Sequence, residues 1–101
     1  MAQTLTWSRE ALDDIDGIAE YISRDSLHHA QQVAERLFEL GESLREYPKI
    51  GRVVPELDDS QVRECFLYSY RLIYELKEEE IHILAVIHGK RLLESVGRFD
   101  L

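Results

Sequence analysis

Residues 62–91 decide the fold: Val62-Arg-Glu-Cys-Phe-Leu-Tyr-Ser-Tyr-Arg-Leu-Ile-Tyr-Glu-Leu76, then Lys77-Glu-Glu-Glu80, then Ile81-His-Ile-Leu-Ala-Val-Ile-His-Gly-Lys-Arg91. The stretch reads as three consecutive strands. Tyr70, Leu72, Tyr74 and Leu76 alternate with Arg71, Ile73 and Glu75, the period-two pattern of a strand. From Ile81 to His88, alternation places Ile81, Ile83, Ala85 and Ile87 on one face and His82, Leu84, Val86 and His88 on the other. Both faces of that strand are largely apolar, so it should be central and covered on both sides. Tyr68-Ser69 is short enough for a hairpin turn, and Lys77–Glu80 forms a charged connection.

Upstream, Thr4–Trp7 alternates and is β-prone, which predicts a first strand beside an edge or beside the last strand. Ser8 has the chemistry of a helix N-cap, with Glu10 in the first turn where the helix dipole favours an acid. Ala11, Leu12, Ile15, Ile18, Ala19 and Ile22 recur at helical spacing, while Asp13, Asp14, Asp16 and Glu20 fall off that stripe and read as a solvated face. Asp25 or Ser26 caps a second helix over about 26–47, with Ala30, Val33, Ala34, Leu37, Phe38, Leu40 and Leu44 as its apolar stripe. Gly41 interrupts that stripe at a cost of about 1 kcal/mol relative to Ala, which suggests close packing on the first helix. The short connection implies a helical hairpin, spanning about 8–47, laid on the sheet of about 62–88. Pro48 ends the second helix, and 48–61 reads as irregular. Leu92, Leu93, Val96, Phe99 and Leu101 punctuate a tail, 89–101, too short for a stable helix alone. It either docks on the sheet or is ordered by a partner.

The expected class is therefore α+β, in the order β-α-α-β-β-β, and the 101 residues are the size of one domain. A single cysteine, Cys65, excludes an intramolecular disulfide and fits a reducing cytoplasm. No apolar run approaches the ~20 residues that span a bilayer. The opening Met-Ala-Gln-Thr-Leu-Thr-Trp lacks the basic and apolar regions of a signal peptide, so none is expected. The net charge is −8, and residues 1–61 carry most of it, with 13 acids and 6 bases. Phosphate backbones attract basic surfaces, so this balance argues against broad nucleic-acid binding, while it leaves room for a local basic site in the second half and for a basic peptide partner.

No group of His28, His29, His82, His88 and Cys65 has metal-ligand spacing, and no Gly-rich phosphate loop is present, so neither metal nor cofactor is expected. Cys65 reads as a buried structural thiol. The basic residues say more. Arg63, Arg71, Lys90 and Arg91 lie on or just after the strands, with Lys49 and Arg52 in the preceding loop. They could hold phosphate oxygens or an acidic protein surface. The alternative is local pairing with Glu64, Glu75 and Glu94.

Several motifs, in order and spacing, resemble the RelE/ParE toxin superfamily of type II toxin–antitoxin, or plasmid-stabilisation, modules. They are Trp7-Ser8 followed by Ala11 and Asp14, Ile18-Ala19-Glu20-Tyr21-Ile22, and Pro48-x-x-Gly51-Arg52-Val53-Val54-Pro55-Glu56. Val62-Arg63-Glu64, Tyr70-Arg71-Leu72-Ile73-Tyr74 and Val86-Ile87-His88-Gly89-Lys90-Arg91 complete the set. The resemblance implies one of two activities. RelE-like members cleave mRNA on the ribosome without metal, using basic side chains and a tyrosine or histidine of the C-terminal tail. Here Phe66 stands where they place an arginine, and Gly97 where they place a tyrosine; only Arg91 matches a nuclease position. The helical hairpin, the Gly-Arg-Val-Val-Pro-Glu loop and His88-Gly89-Lys90-Arg91 look more like the ParE branch. ParE-like toxins poison DNA gyrase by binding it, and a cognate antitoxin neutralises them by folding its disordered C-terminal segment across the toxin. That branch implies Arg63, Arg71, Lys90 and Arg91 as contact residues, with Leu92, Leu93, Val96 and Phe99 of the tail engaging target or antitoxin. A superfamily member retaining antitoxin binding without toxicity is the third reading. Oligomeric state stays open between a homodimer and a toxin–antitoxin hetero-oligomer.

Overall fold

The computed structural model describes residues 4–91 and 93–99. Its elements follow the expected order with one addition: β1 (Thr4–Trp7), α1 (Arg9–Ser23), α2 (Leu27–Ser43), β2 (Arg52–Val53), β3 (Val62–Leu67), β4 (Tyr70–Lys77) and β5 (Glu80–His88). A 3-10 turn, Leu93–Ser95, follows. The added element is β2, inside the loop expected to be irregular. It pairs with β3 only through Arg52 opposite Glu64 and Val53 opposite Arg63.

The five strands run β1-β5-β4-β3-β2 across the sheet. Three hairpin-type pairings are antiparallel, and β1 closes the far edge parallel to β5. Two-residue turns join β3 to β4 and β4 to β5, each with positive φ at its first residue, Tyr68 (54°) and Glu78 (50°). Lys77 and Glu80, expected in the connection, pair as strand residues instead.

Each helix begins as its sequence dictates. The Ser8 hydroxyl accepts the Ala11 N–H at 3.0 Å, and the Ser26 hydroxyl accepts the His29 N–H at 3.1 Å, each relieving an orphan donor of a first turn. The hairpin covers one face of the sheet. Ala11 and Ile15 of α1 and Val33, Leu37 and Leu44 on and just past α2 pack on Leu5, Cys65, Leu72, Tyr74, Ile81, Ile83 and Val86. Leu12 departs from its predicted stripe and is exposed. Gly41 lies against the sheet and not against α1: a Cβ there would overlap the Trp7 ring and the Ile83 side chain. Phe38 completes that contact, its ring 5.1 Å from that of Trp7.

The opposite face carries a second core. Val62, Ile73, Ala85 and Ile87 from the strands meet Val54, Leu57, Leu93, Val96 and Phe99. The described tail therefore docks on the sheet, anchored by Leu93, which is 1% exposed.

One irregularity separates this arrangement from strict alternation. Ile73 pairs with Ala85 while Tyr74 pairs with Ile83, so Leu84 is an extra residue in β5. Such a bulge flips the faces of everything beyond it. Ile81, Ile83 and Val86 consequently face the helices, and Ala85 and Ile87 face the tail. The expectation that Ile81, Ile83, Ala85 and Ile87 share a face is overturned. So is the expectation that His82 and His88 do.

Candidate interaction surface

The bulge builds a cleft. Beyond Leu84, Val86 and His88 turn toward α1, and an open hollow of about 400 Å³ lies between them. Asp13, Asp14, Gly17, Ile18 and Tyr21 form the α1 wall, and Tyr70, Val86, Ile87, His88 and Arg91 form the other. His88 is fixed by its neighbours. Its Nδ1 accepts the Lys90 N–H at 3.2 Å, and the Tyr70 ring stands nearly perpendicular to it at 6.0 Å. Neutral His88 therefore carries its proton on Nε2.

Asp14 holds the cleft to the bulge. β1 ends opposite Ile83, and side chains take up backbone groups of β5 beyond that point. Asp14 Oδ2 accepts the Val86 N–H at 2.9 Å, and the Leu84 carbonyl accepts Ser8 Oγ and Arg98 Nη1, both at 3.2 Å. Arg98 also pairs with Asp14, whose hydrogen bonds, with burial opposing, hold the Arg98 pKa above its ordinary value. Asp14 is thus no member of a solvated acidic face; its side chain is 14% exposed.

The structure separates the predicted basic residues. Arg71 is buried on the tail side of the sheet. Its Nη1 and Nη2 both donate to the Glu56 carboxylate at 2.9 Å, and its Nε donates to Glu64 at 2.7 Å. Burial works against the Arg71 charge, yet these hydrogen bonds outweigh it and raise its pKa. Glu64, fully enclosed, also accepts Arg52 Nε at 2.6 Å. Arg52 in turn sits 5.2 Å over the half-exposed Phe66 ring. Arg63 donates to the Gly51 carbonyl at 2.7 Å. Arg71, Arg52 and Arg63 therefore tie the 51–56 segment to the sheet. Lys90 and Arg91 remain together at the surface beside the cleft. Leu93, Val96 and Phe99 cover the second core, and Leu92 lies outside the described residues.

Asp14, Arg98, Glu56 and Tyr74 take roles that sequence reading does not give. Asp14 and Arg98 are 84 positions apart, and nothing local links them. Glu64 is one of the three acids named for local pairing, and it pairs with Arg52 and Arg71, whereas Glu56 stands in a motif with no pairing expected. Tyr74 was read as core, but its hydroxyl also donates to the Pro48 carbonyl at 2.7 Å and accepts the Gly51 N–H at 3.1 Å. Burial, the larger influence on it, pushes the Tyr74 phenol pKa up. Among the described residues, no group of three or more His, Cys, Asp or Glu is placed to hold a metal ion. No helix among them is long and apolar enough to cross a membrane.

A family profile described as "ParE toxin of type II toxin-antitoxin system, parDE" matches residues 5–93. The chain belongs to the ParE toxin family. Among curated relatives, Toxin RelE2 of Caulobacter vibrioides is 36% identical over 93 residues, covering 91% of this chain and all of that protein. Among solved structures, the chromosomal ParDE toxin–antitoxin system from P. aeruginosa superposes with a TM-score of 0.73 at 23% identity, covering 88% of this chain and 98% of that one. The toxin–antitoxin complex RelBE2 from Mycobacterium tuberculosis gives 0.67 at 16% identity, covering 87% and 99%. The YoeB dimer from Staphylococcus aureus gives 0.58 at 14% identity, covering 87% and 98%. These structural likenesses show the RelE/ParE fold. The chain is a toxin of the RelE/ParE superfamily of type II systems, with two helices on a five-stranded sheet.

Proposed function

We propose that this ParE-family chain inhibits DNA gyrase by binding it, and that a cognate antitoxin protein neutralises it. The observation that carries the reading is the state of the cations on the tail side of the sheet. Where the nuclease branch places an arginine stands Phe66, under Arg52, and Arg71 is enclosed by Glu56 and Glu64. Ribonucleolytic chemistry needs cations free to meet a phosphate as charge develops on it. Here Arg52 and Arg71 neutralise carboxylates of the same chain. The net charge of −8 argues the same way, since a ribosome ligand meets phosphate throughout its approach. The exposed Lys90–Arg91 corner beside the cleft supports this reading as the surface for a target, with Arg63 close to the opposite edge.

The second reading is a ribosome-dependent, metal-independent mRNA endonuclease. Two observations favour it: the 36% identity to Toxin RelE2, and the meeting of Tyr21, Tyr70, His88 and Arg91 in one cleft. Expression in cells separates the readings. Gyrase inhibition predicts growth arrest with transcripts intact at codon resolution. The endonuclease reading predicts site-specific mRNA cuts that vanish with Arg91→Ala. Expression that leaves growth unchanged without any antitoxin supports a non-toxic binder and contradicts both.

A further inference from the structure

We propose that the end of the sheet at the β3–β4 turn is a stacking site for unpaired DNA, with Phe66 and Tyr68 as base platforms and Lys90 as a phosphate contact. The inference rests on the gyrase reading for the source of that DNA, and adds a nucleic-acid contact beside the protein target.

Two aromatic rings stand at this end without a structural use. Phe66 is 52% exposed and Tyr68 is 60% exposed, and neither belongs to the core on either side of the sheet. Tyr68 is also held against its preference. Its φ of 54° is left-handed, a conformation that glycine or asparagine adopts at lower cost in a two-residue turn. An exposed ring in that position does nothing for folding, so it calls for another reason. The other turn of the sheet has the same left-handed first residue, Glu78, but carries acid in place of the ring.

Charge on the sheet is sorted along the same axis. The strand register puts Glu78, Glu79 and Glu80 at one end of β4 and β5, and Tyr68, Gly89 and Lys90 at the other. The Gly89 N–H donates to the Ser69 carbonyl at 2.7 Å, which closes the turn onto the end of β5. Gly89 also lies against Phe66, since a Cβ built on it would stand 3.9 Å from that ring. The exposed Lys90 is thereby brought beside the aromatic pair. On the strand side, the Arg52 guanidinium sits 5.2 Å over the Phe66 ring, and its side chain is 63% exposed. Glu64 balances the Arg52 charge, so Arg52 offers a flat cationic plane and Lys90 the point charge.

This set fits a nucleic-acid strand. Every base has a π-face that stacks on an aromatic ring or a guanidinium plane, and the phosphates between bases meet the lysine. Carboxylates of an acidic peptide would use Lys90 and leave both rings unmatched. Bases inside a duplex already stack on one another, so the site selects unpaired ones. Under the gyrase reading, an enzyme caught on cut DNA supplies them. The acidic surface elsewhere on the chain repels phosphate, which confines binding to this end and keeps affinity for free DNA weak.

Fluorescence anisotropy of a labelled oligothymidylate of about 12 nucleotides, titrated with full-length toxin at low salt, measures the site. Wild type should bind it about fivefold or more tightly than a duplex of the same length, and Phe66→Ala and Tyr68→Asn should each weaken binding about fivefold or more. Lys90→Glu should weaken it and flatten its salt dependence. Tyr68→Asn should melt at an unchanged or higher temperature, because asparagine accepts the turn conformation, so its lost binding is not lost fold. Iodouracil-substituted DNA irradiated in the gyrase complex should crosslink to Tyr68. Binding that is unchanged in both aromatic variants, or equal for the duplex, overturns the inference, while gyrase inhibition is scored separately by supercoiling. A polyglutamate peptide that binds wild type and Phe66→Ala as tightly as the oligonucleotide binds wild type assigns the site to an acidic protein and overturns it. Crosslinking to ribosome-bound mRNA and not to gyrase-bound DNA overturns the source. Undiminished supercoiling with oligonucleotide binding intact defeats the gyrase reading and leaves the stacking site standing.

Discussion

Arg98 grips Asp14 through two parallel hydrogen bonds, Nη1 to Oδ2 at 2.8 Å and Nη2 to Oδ1 at 2.7 Å. The pair ties the tail to α1 directly over the β5 bulge, where Asp14 also holds the Val86 N–H. The two partners are not equivalent. Removing Arg98 deletes a partly exposed ion pair and one of two donors to the Leu84 carbonyl. Removing Asp14 also orphans a buried amide. Asp14→Ala should therefore cost about 1–3 kcal/mol and Arg98→Ala about 1 kcal/mol or less, measured by urea denaturation. Equal costs, or the reverse order, would mean that Asp14 does not support the bulge.

Arg71 invites a different experiment, because it is the residue a toxicity screen would mutate first. Arg71→Ala strands Glu64 in the interior with Arg52 as its remaining charged partner, and should cost about 3–5 kcal/mol. Arg71→Lys should recover little of this, since an ammonium cannot engage two carboxylates in the planar fork. Loss of toxicity in either variant should thus track loss of folded protein on thermal denaturation. A folded, fully stable Arg71→Ala protein that is inactive would show instead that Arg71 contacts the target.

Acid should loosen the 51–56 segment through Glu56. The hydrogen bonds from Arg71 hold the Glu56 carboxyl below its ordinary value near 4.5, with burial opposing. A carboxyl with a lowered folded pKa adds stability above its unfolded pKa and loses it as pH falls through the folded value. The contribution is therefore complete at neutral pH and fades below about pH 4.5. Glu56 is about one-third exposed, so solvent screening limits it to about 1 kcal/mol. Glu56→Gln should lower stability at pH 7 and converge on wild type as pH falls through the lowered folded-state value. Parallel stability curves across that range would refute the assignment.

Cys65 should behave as a core residue in the folded state. Its desolvation, with a smaller contribution from the Glu64 charge, raises the thiol pKa, and the residue is 9% exposed. The thiolate is the reactive form, so both effects slow alkylation. Iodoacetamide at pH 8 should modify native protein at least about a hundredfold more slowly than urea-unfolded protein. Comparable rates would place the thiol at an open surface.

The parts of the fold that were legible share one property: each is written in neighbouring residues. Ser8 and Ser26 announce helix starts, the apolar stripes of α1 and α2 announce the buried faces, and Tyr70–Leu76 alternates cleanly because its flanking polar residues, Arg71 and Glu75, mark the phase. The β5 strand carries no such mark. Ile81–Ile87 is apolar on both faces apart from His82, so inserting Leu84 changes which residue faces which core without changing the pattern of hydrophobicity. The strand β2 was hidden for the opposite reason. It is two residues long, and side chains such as Arg52 on Glu64 support its pairing. The candidate site was legible in residue type only. Arg63, Arg71, Lys90 and Arg91 look alike in sequence, yet Arg71 lies in the interior and Lys90 and Arg91 at the surface. That difference depends on Glu56 and Glu64 arriving from other parts of the chain. The cleft depends on the bulge, and no local signal announced it.

The proposed target of the surface outside this ion-paired interior is gyrase. A supercoiling assay with purified gyrase, relaxed plasmid and ATP, run across a titration of the toxin with and without its antitoxin, decides it. Gyrase binding should give progressive loss of supercoiling, accumulation of cleaved DNA and restoration by the antitoxin, with Lys90→Glu/Arg91→Glu protein folded but inactive. Undiminished supercoiling at saturating, folded toxin would contradict it.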